Sequence, residues 1–299
     1  MRYCWRQLVL CLAASSLLTG CASPFMAGDR QSKWSQFENN HVFVPAKYPE
    51  GDWKPAAYQF EDVWFKSDDG TRLNGWYYPQ PKPAAVVLLA HGNAGNVTHT
   101  VPLLKRLHDD HNLTVFSFDY RGYGKSDGTP DEAGVLADTR AARKWLAQRA
   151  HVAEHDILLV GHSLGSGAMV ELAATDGARG LILLNAFTSL PEVAGHHWPL
   201  VPTGLLMQNR LDSLARIDRY QGPLLQVHGD RDRVVPLSQG QRLFEKAHEP
   251  KQFVLHAGGR HQDPPPPEFD EALDKFLAQL APAETLPEPR RWRAVGSTE

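Results

Sequence analysis

Ile157-Leu158-Leu159-Val160-Gly161-His162-Ser163-Leu164-Gly165, running into an apolar stretch from Ala168 to Ala174, is the segment on which the reading of the whole chain turns. Four apolar residues bounded by glycine have the length and composition of a buried strand, and the run after them has the composition of a helix. A strand-to-helix turn this tight leaves no room for bulky side chains two positions either side of its centre. Gly161 and Gly165 supply that room, and the turn lifts the Ser163 hydroxyl above the sheet edge. The following helix aims its N-terminal dipole and free N–H groups at the place where negative charge develops on an attacked carbonyl. A glycine-rich turn with an incidental serine is the plainer alternative; the strand before it and the helix after it favour a nucleophile.

On either side of this segment, β-like runs alternate with helical ones. Ala85 to Ala90, Leu113 to Phe118, Ile157 to Val160 and Leu181 to Leu184 read as buried strands, and Pro223 to Val227 and Phe253 to His256 as the last two. Helical spacing is predicted over about 98–111, 131–149, 237–248 and 268–280. Ahead of them, Phe60 to Phe65 and Leu73 to Tyr78, separated by Asp69-Gly70, predict a hairpin. The architecture is therefore α/β, a mostly parallel central sheet flanked by helices. Residues 187–222, with Pro191, Pro199 and Pro202, interrupt the alternation and are long enough for a short cap.

A serine hydroxyl is a weak nucleophile until a base takes its proton, and the base needs an acid to fix its tautomer. With the chain order Ser, acid, His, the acid belongs after the strand ending at Val227, where His228-Gly229-Asp230-Arg231-Asp232 offers two carboxylates. Asp232 is the choice; Asp230, two residues away, is left to shape the turn or pair with an arginine. The base belongs on the loop after the final strand, where His261 lies, whereas its nearest rival His256 falls within the strand. For the oxyanion, the backbone N–H groups of Asn93 and Leu164 are the expected donors, Asn93 sitting in His91-Gly92-Asn93-Ala94-Gly95-Asn96 straight after a strand. Asn93 and Asn96 can also be read as turn formers, and His91 is assigned a bracing role.

Together these segments resemble the α/β-hydrolase superfamily, and more narrowly its small serine hydrolases with an HGNAGN loop, a DYRGYGxS segment, GHSLG and HGxxDxxVP. All four occur here in order, the second as Asp119-Tyr120-Arg121-Gly122-Tyr123-Gly124-Lys125-Ser126. The resemblance covers about 60–280 and implies the α/β-hydrolase fold, hydrolysis at Ser163, and a loop beside the active site for the second motif. One departure is His261-Gln262-Asp263 followed by four prolines, where relatives often carry His-Asn-Asp.

The N-terminus adds a location. Arg2 and Arg6 precede an apolar run from Leu8 to Leu18, too short to span a bilayer comfortably, which reads as a signal peptide over 1–20. Leu18-Thr19-Gly20-Cys21 resembles the bacterial lipobox, which implies that Cys21 becomes a diacylglyceryl-modified first residue. Ala22 rather than aspartate after it favours the outer membrane, and several acyl chains make attachment durable. Cys4 and Cys11 would leave with the signal, so the mature chain has neither a disulfide nor a thiol nucleophile. Residues 21–57 are expected to be a lipidated linker whose aromatics Trp34, Phe37, Phe43 and Trp53 partly pack on the body; 58–281 form the hydrolase domain, and 282–299 a flexible tail.

The 299 residues carry a formal net charge of -3, with no basic footprint for nucleic acid. The histidines show no zinc-like spacing, and neither metal nor cofactor is implied. The sequence thus predicts a serine esterase or thioesterase acting on a small acyl substrate and tied to the membrane through Cys21. A serine peptidase is the runner-up, and a silent lipoprotein binding module the rival from another class. Trp198, Leu200, Leu205, Leu206 and Met207 are candidates to line an acyl site, with ordinary packing as the alternative.

Overall fold

Ala85 to Ala90 is six apolar residues with no polar face, a pattern only a strand covered on both sides tolerates. The computed structural model, which describes residues 33–56 and 60–280, places it near the middle of an eight-stranded sheet. The strands are β1 (Glu61–Lys66), β2 (Arg72–Tyr78), β3 (Ala85–Ala90), β4 (Leu113–Phe118), β5 (Leu158–His162), β6 (Gly180–Leu184), β7 (Leu224–Gly229) and β8 (Lys251–His256). Their spatial order is β1-β2-β4-β3-β5-β6-β7-β8; β1, β2 and β4 pair antiparallel and every later pair is parallel. The predicted hairpin is β1–β2, and the predicted α/β-hydrolase architecture is the one observed.

Alternation along the apolar strands sorts their side chains into two cores. Val86, Leu88 and Ala90 of β3 and Leu159 of β5 face a core closed by helices α3 (Glu132–Ala150) and α4 (Leu164–Asp176). Val87, Leu89, Leu158 and Val160 face the opposite core, closed by α2 (Val101–Lys105), its continuation Arg106–Asp110, and α8 (Glu268–Gln279). Both layers have sequence-encoded ends. Asp131 caps α3 by accepting from the Gly134 N–H at 2.7 Å, and His151 leaves the helix at φ 55°. Leu159→Ala, at a site with no exposure, is expected to cost ~2–5 kcal/mol through the cavity it leaves.

The predicted helix over 98–111 is less regular than its spacing suggested: a 3-10 turn (Val97–Thr100), α2, and a wider π turn (Arg106–Asp110). The cap is formed by α5 (Leu190–His197) and the one-turn α6 (Thr203–Leu206), and α7 (Leu237–Lys246) follows β7. Among the described residues no helix is long and apolar enough to cross a membrane.

The segment expected to be a linker holds a ten-residue helix, α1 (Lys33–Val42), followed by an extended strap. Phe43 is buried and Trp53 packs edge-on against Tyr48 and Trp76 at 5.5 and 5.6 Å. A buried carboxylate holds helix α1 to the cap. Glu38, 4 % exposed, accepts from the backbone N–H of Gln208 and Asn209 and from the Asn209 side-chain amide. Glu38→Gln points an amide at those donors, and the expected cost is ~1–3 kcal/mol in urea unfolding. The signal peptide, Cys21, residues 22–32, the side chains of Trp34 and Phe37, and the tail 282–299 lie outside the described residues.

Candidate active site

Between β5 and α4 the chain turns at Ser163, whose backbone is held at φ 52°, ψ −116°. A side chain at positive φ is strained, and that strain is maintained by close packing on either side. A Cβ added to Gly161 would lie 2.5 Å from the Gly165 carbonyl oxygen, and one on Gly165 2.3 Å from that of Ala90. The obstacles are backbone, so neither glycine can be replaced without moving the turn. Ser166 Oγ donates to the Ser163 carbonyl at 2.6 Å and braces the first turn of α4.

Ser163 Oγ donates to His261 Nε2 at 2.9 Å, and His261 Nδ1 donates to Asp232 Oδ2 at 2.7 Å. The three residues are 6–8 % exposed. The other oxygen of Asp232 accepts from the N–H groups of Val234 and Val235 at 2.8 and 2.9 Å, which fixes the carboxylate plane. Burial pushes the Asp232 carboxyl up, but the His261 hydrogen bond and charge and the two backbone donors outweigh it and hold the group below its ordinary value. Asp230 instead accepts from the Gly258 N–H at 2.7 Å and shapes the facing turn. His256 ends β8, outside this chain of contacts.

Two residues that sequence reasoning passed over hold His261 in place. The His261 carbonyl accepts from His162 Nε2 at 3.0 Å and from Asn185 Nδ2 at 2.8 Å. Asn185 stands at φ 49° just beyond β6 and also accepts from the Gly229 N–H at 3.2 Å. Its only sequence signal was an amide directly after four apolar strand residues, a type that tolerates left-handed backbone. Burial, with the neighbouring His261 adding to it, pushes His162 down to about 4.

That shift has a signed consequence. Between about 4 and the ordinary 6.5, the unfolded chain protonates His162 and the folded one does not. Stability from this group is therefore complete above 6.5 and lost as the pH falls toward 4. The ceiling on that loss is ~3 kcal/mol. Urea unfolding at pH 7 and at pH 4.5 should show it, and His162→Gln, which keeps a donor without the titration, should flatten the slope.

Asn93 turns its side chain away from Ser163. Its Oδ1 accepts from Val44 N–H at 3.1 Å and Tyr123 Oη at 2.7 Å, and its Nδ2 donates to the Val42 carbonyl at 2.5 Å. The strap also bridges Ala46 N–H to the Gly95 carbonyl and Gly124 N–H to the Ala46 carbonyl. The 92–96 loop is thus clamped between strap and DYRGYG loop, and Asn93 lines the same cavity as Ser163 and Leu164. His91 braces this loop: its Nδ1 lies 2.7 Å from the Gly92 carbonyl, and its ring packs on Tyr120 and Tyr123.

The cavity beside Ser163, about 160 Å³, is walled by Phe187, Val193, Trp198 and Met207 of the cap and by Glu38, His41 and Val42 of α1. Of the five cap residues singled out in the sequence, Trp198, Leu206 and Met207 line it; Leu200 and Leu205 point to the outside. The contribution of α1 was not foreseen, because nothing local in residues 33–42 says that they return to the cap. Among the described residues no group of three or more His, Cys, Asp or Glu is arranged to hold a metal ion.

Comparison with known proteins places this geometry. Residues 85–208 match the family model of the alpha/beta hydrolase fold. An uncharacterised Mycobacterium tuberculosis protein is 36% identical over 253 residues, 83% of this chain and 89% of that one. An Arabidopsis thaliana alpha/beta hydrolase domain-containing protein is 31% identical over 225 residues, 68% of this chain and 73% of its own. Among solved structures, an esterase of Pyrococcus furiosus superposes with a TM-score of 0.63 over 79% of this chain and 99% of its own, at 20% identity. The sequence matches, the sheet order and the serine-bearing turn between β5 and α4 agree, and the chain belongs to the α/β-hydrolase family.

Proposed function

We propose that the protein is a serine hydrolase that cleaves carboxylic esters or thioesters of acyl chains through an acyl-enzyme. The observation that carries this is the unbroken path from Ser163 Oγ through His261 to Asp232, ending at an apolar cavity. Ser163 attacks the carbonyl carbon as His261 Nε2 takes its proton, and the oxyanion is held by the N–H groups of Asn93 and Leu164. His261 then returns the proton to the departing alcohol or thiol. Water, activated by the same base, releases the acid. Asp232 keeps the Nδ1–H tautomer and stabilises the imidazolium. Walls of Phe187, Val193, Trp198 and Met207 suit a hydrocarbon chain and offer few partners to a peptide backbone. The shared fold with an esterase agrees with this chemistry. We place the enzyme on the membrane through acylated Cys21, at the outer membrane facing the periplasm.

The test is a fluorophosphonate probe on the full chain, with the adduct located by peptide mass. Modification at Ser163, followed by turnover of acyl esters, is expected; a folded protein that neither takes the probe nor cleaves esters would refute the proposal. Aminoacyl amides belong in the same panel, because faster cleavage of amides than of esters would replace an esterase with a peptidase. Ala194, which lines the cavity, offers a specificity check. Ala194→Leu is expected to raise KM for long-chain esters several-fold while leaving acetyl ester kinetics nearly unchanged.

A further inference from the structure

The cap carries apolar surface that it does not bury. Leu200 is 97 % exposed and Leu205 88 %, with Leu206 at 39 % and Val234 at 42 %. Among the described residues eight large apolar side chains are exposed; Leu200, Leu205 and Leu206 fall in one short stretch of the cap, and Val234 lines the same cavity as Leu206. Scattered exposed leucines are ordinary on a soluble protein, whereas a cluster beside a pocket marks a contact surface. Here the outer and inner apolar surfaces are continuous. Val201, Leu206 and Val234 line the cavity that holds Ser163, while Leu200 and Leu205, next to them in the chain, do not.

Where the chain enters the described fold says what meets this surface. Helix α1 begins at Lys33, twelve residues after Cys21, and its residues Glu38, His41 and Val42 also line the same cavity. Fully extended, that stretch reaches at most about 40 Å. An acyl anchor on Cys21 therefore keeps this pocket within roughly one domain diameter of the bilayer.

We propose that the tip of the cap, Leu200 and Leu205 foremost, docks on the lipid bilayer to which the chain is anchored, so that the pocket draws its acyl substrate from the membrane rather than from water. This rests on the reading of Ser163 as the nucleophile and Cys21 as the anchored residue. It adds a direction of substrate entry and a class of substrate: esters of chains long enough to reside in lipid.

The test uses the full acylated protein in phosphatidylethanolamine–phosphatidylglycerol vesicles, wild type beside the double variant Leu200→Ser/Leu205→Ser. Two probes are compared, methylumbelliferyl palmitate dissolved in the bilayer and methylumbelliferyl acetate in water. Both proteins stay anchored, so recruitment does not differ between them. The variant is expected to lose at least about tenfold on the bilayer substrate, as the transfer of two leucines implies, and to remain within twofold on acetate. An equal rate ratio in wild type and variant would overturn the proposal. A second readout is independent of catalysis: a nitrobenzoxadiazole label on Leu200→Cys should shift to the blue on vesicles, with Leu255→Cys, exposed on β8, as the unshifted control. A missing shift at 200 sinks the docking even if both esters are cleaved. A shift in a protein that cleaves neither ester keeps the docking and discards the hydrolase. A dimer in detergent that the double variant abolishes, with the rate ratio unchanged, would assign the patch to a second copy instead.

Discussion

Ser163→Ala is expected to lower ester turnover by ~10⁴- to 10⁶-fold and to abolish fluorophosphonate labelling, with the fold intact. The size of the loss follows from what remains. In the proposed mechanism Asn93 and Leu164 would still offer their N–H groups to a bound carbonyl and the apolar cavity would still hold the chain, so some acceleration over water would persist, but no group would be left to form the acyl-enzyme. Stability should change by less than ~1 kcal/mol, because only the Oγ to His261 hydrogen bond is removed. Circular dichroism and urea unfolding check that half. Equilibrium binding of an uncleaved long-chain ester to the variant checks the other, and should match the KM of the wild type within a few-fold. A Ser163→Ala protein that keeps a tenth of wild-type turnover would place the nucleophile elsewhere.

Asp232→Asn should cost about 10⁴ in kcat while barely disturbing the structure. The two oxygens of Asp232 have separate duties: Oδ1 accepts from the N–H groups of Val234 and Val235, and Oδ2 accepts from His261 Nδ1. Asparagine has one acceptor oxygen, and the two backbone donors hold it. Its amide then faces His261 and is satisfied only if Nδ1 gives up its proton, which moves that proton to Nε2. An imidazole protonated at Nε2 cannot take the proton of Ser163. The loss should therefore fall on kcat and on the rate of fluorophosphonate labelling alike, with KM little changed. Imidazole ¹⁵N chemical shifts would show the tautomer directly. If Asp232→Asn stays within tenfold of wild type, the tautomer account is wrong.

How much of this was legible beforehand depended on how local each feature is. The strands of the sheet announced themselves through unbroken apolar runs, and β3 and β4 begin and end where those runs do. The Ser163 turn was readable because a tight reversal demands small residues at fixed positions, and the contacts a Cβ would make at Gly161 and Gly165 show why. Position alone did not separate Asp232 from Asp230; the structure brings Asp232 to His261 and gives Asp230 the Gly258 N–H. What stayed hidden depends on long-range pairing. Nothing around Glu38 indicates that its carboxylate meets Gln208 and Asn209, and nothing around His162 indicates that it donates to the carbonyl of the base. The aromatics of segment 21–57 pointed to partial packing on the body, but not to the form it takes: an extended strap forms hydrogen bonds with a neighbouring loop as readily as a strand does.

The clasp between Glu38 and the cap joins residues 170 positions apart in the chain. Contacts of such separation form late, since the ordering of everything between must come first. During synthesis the segment that emerges early has nothing to grip until the cap at 207–209 exists. The sheet, by contrast, can be assembled from neighbouring β-α units. A body with its eight strands paired and its serine turn in place, but with α1 still swinging free and the cavity beside Ser163 lacking the residues α1 contributes, is the expected penultimate species on the folding route. Amide hydrogen exchange in α1 should accordingly report an opening that costs far less than global unfolding.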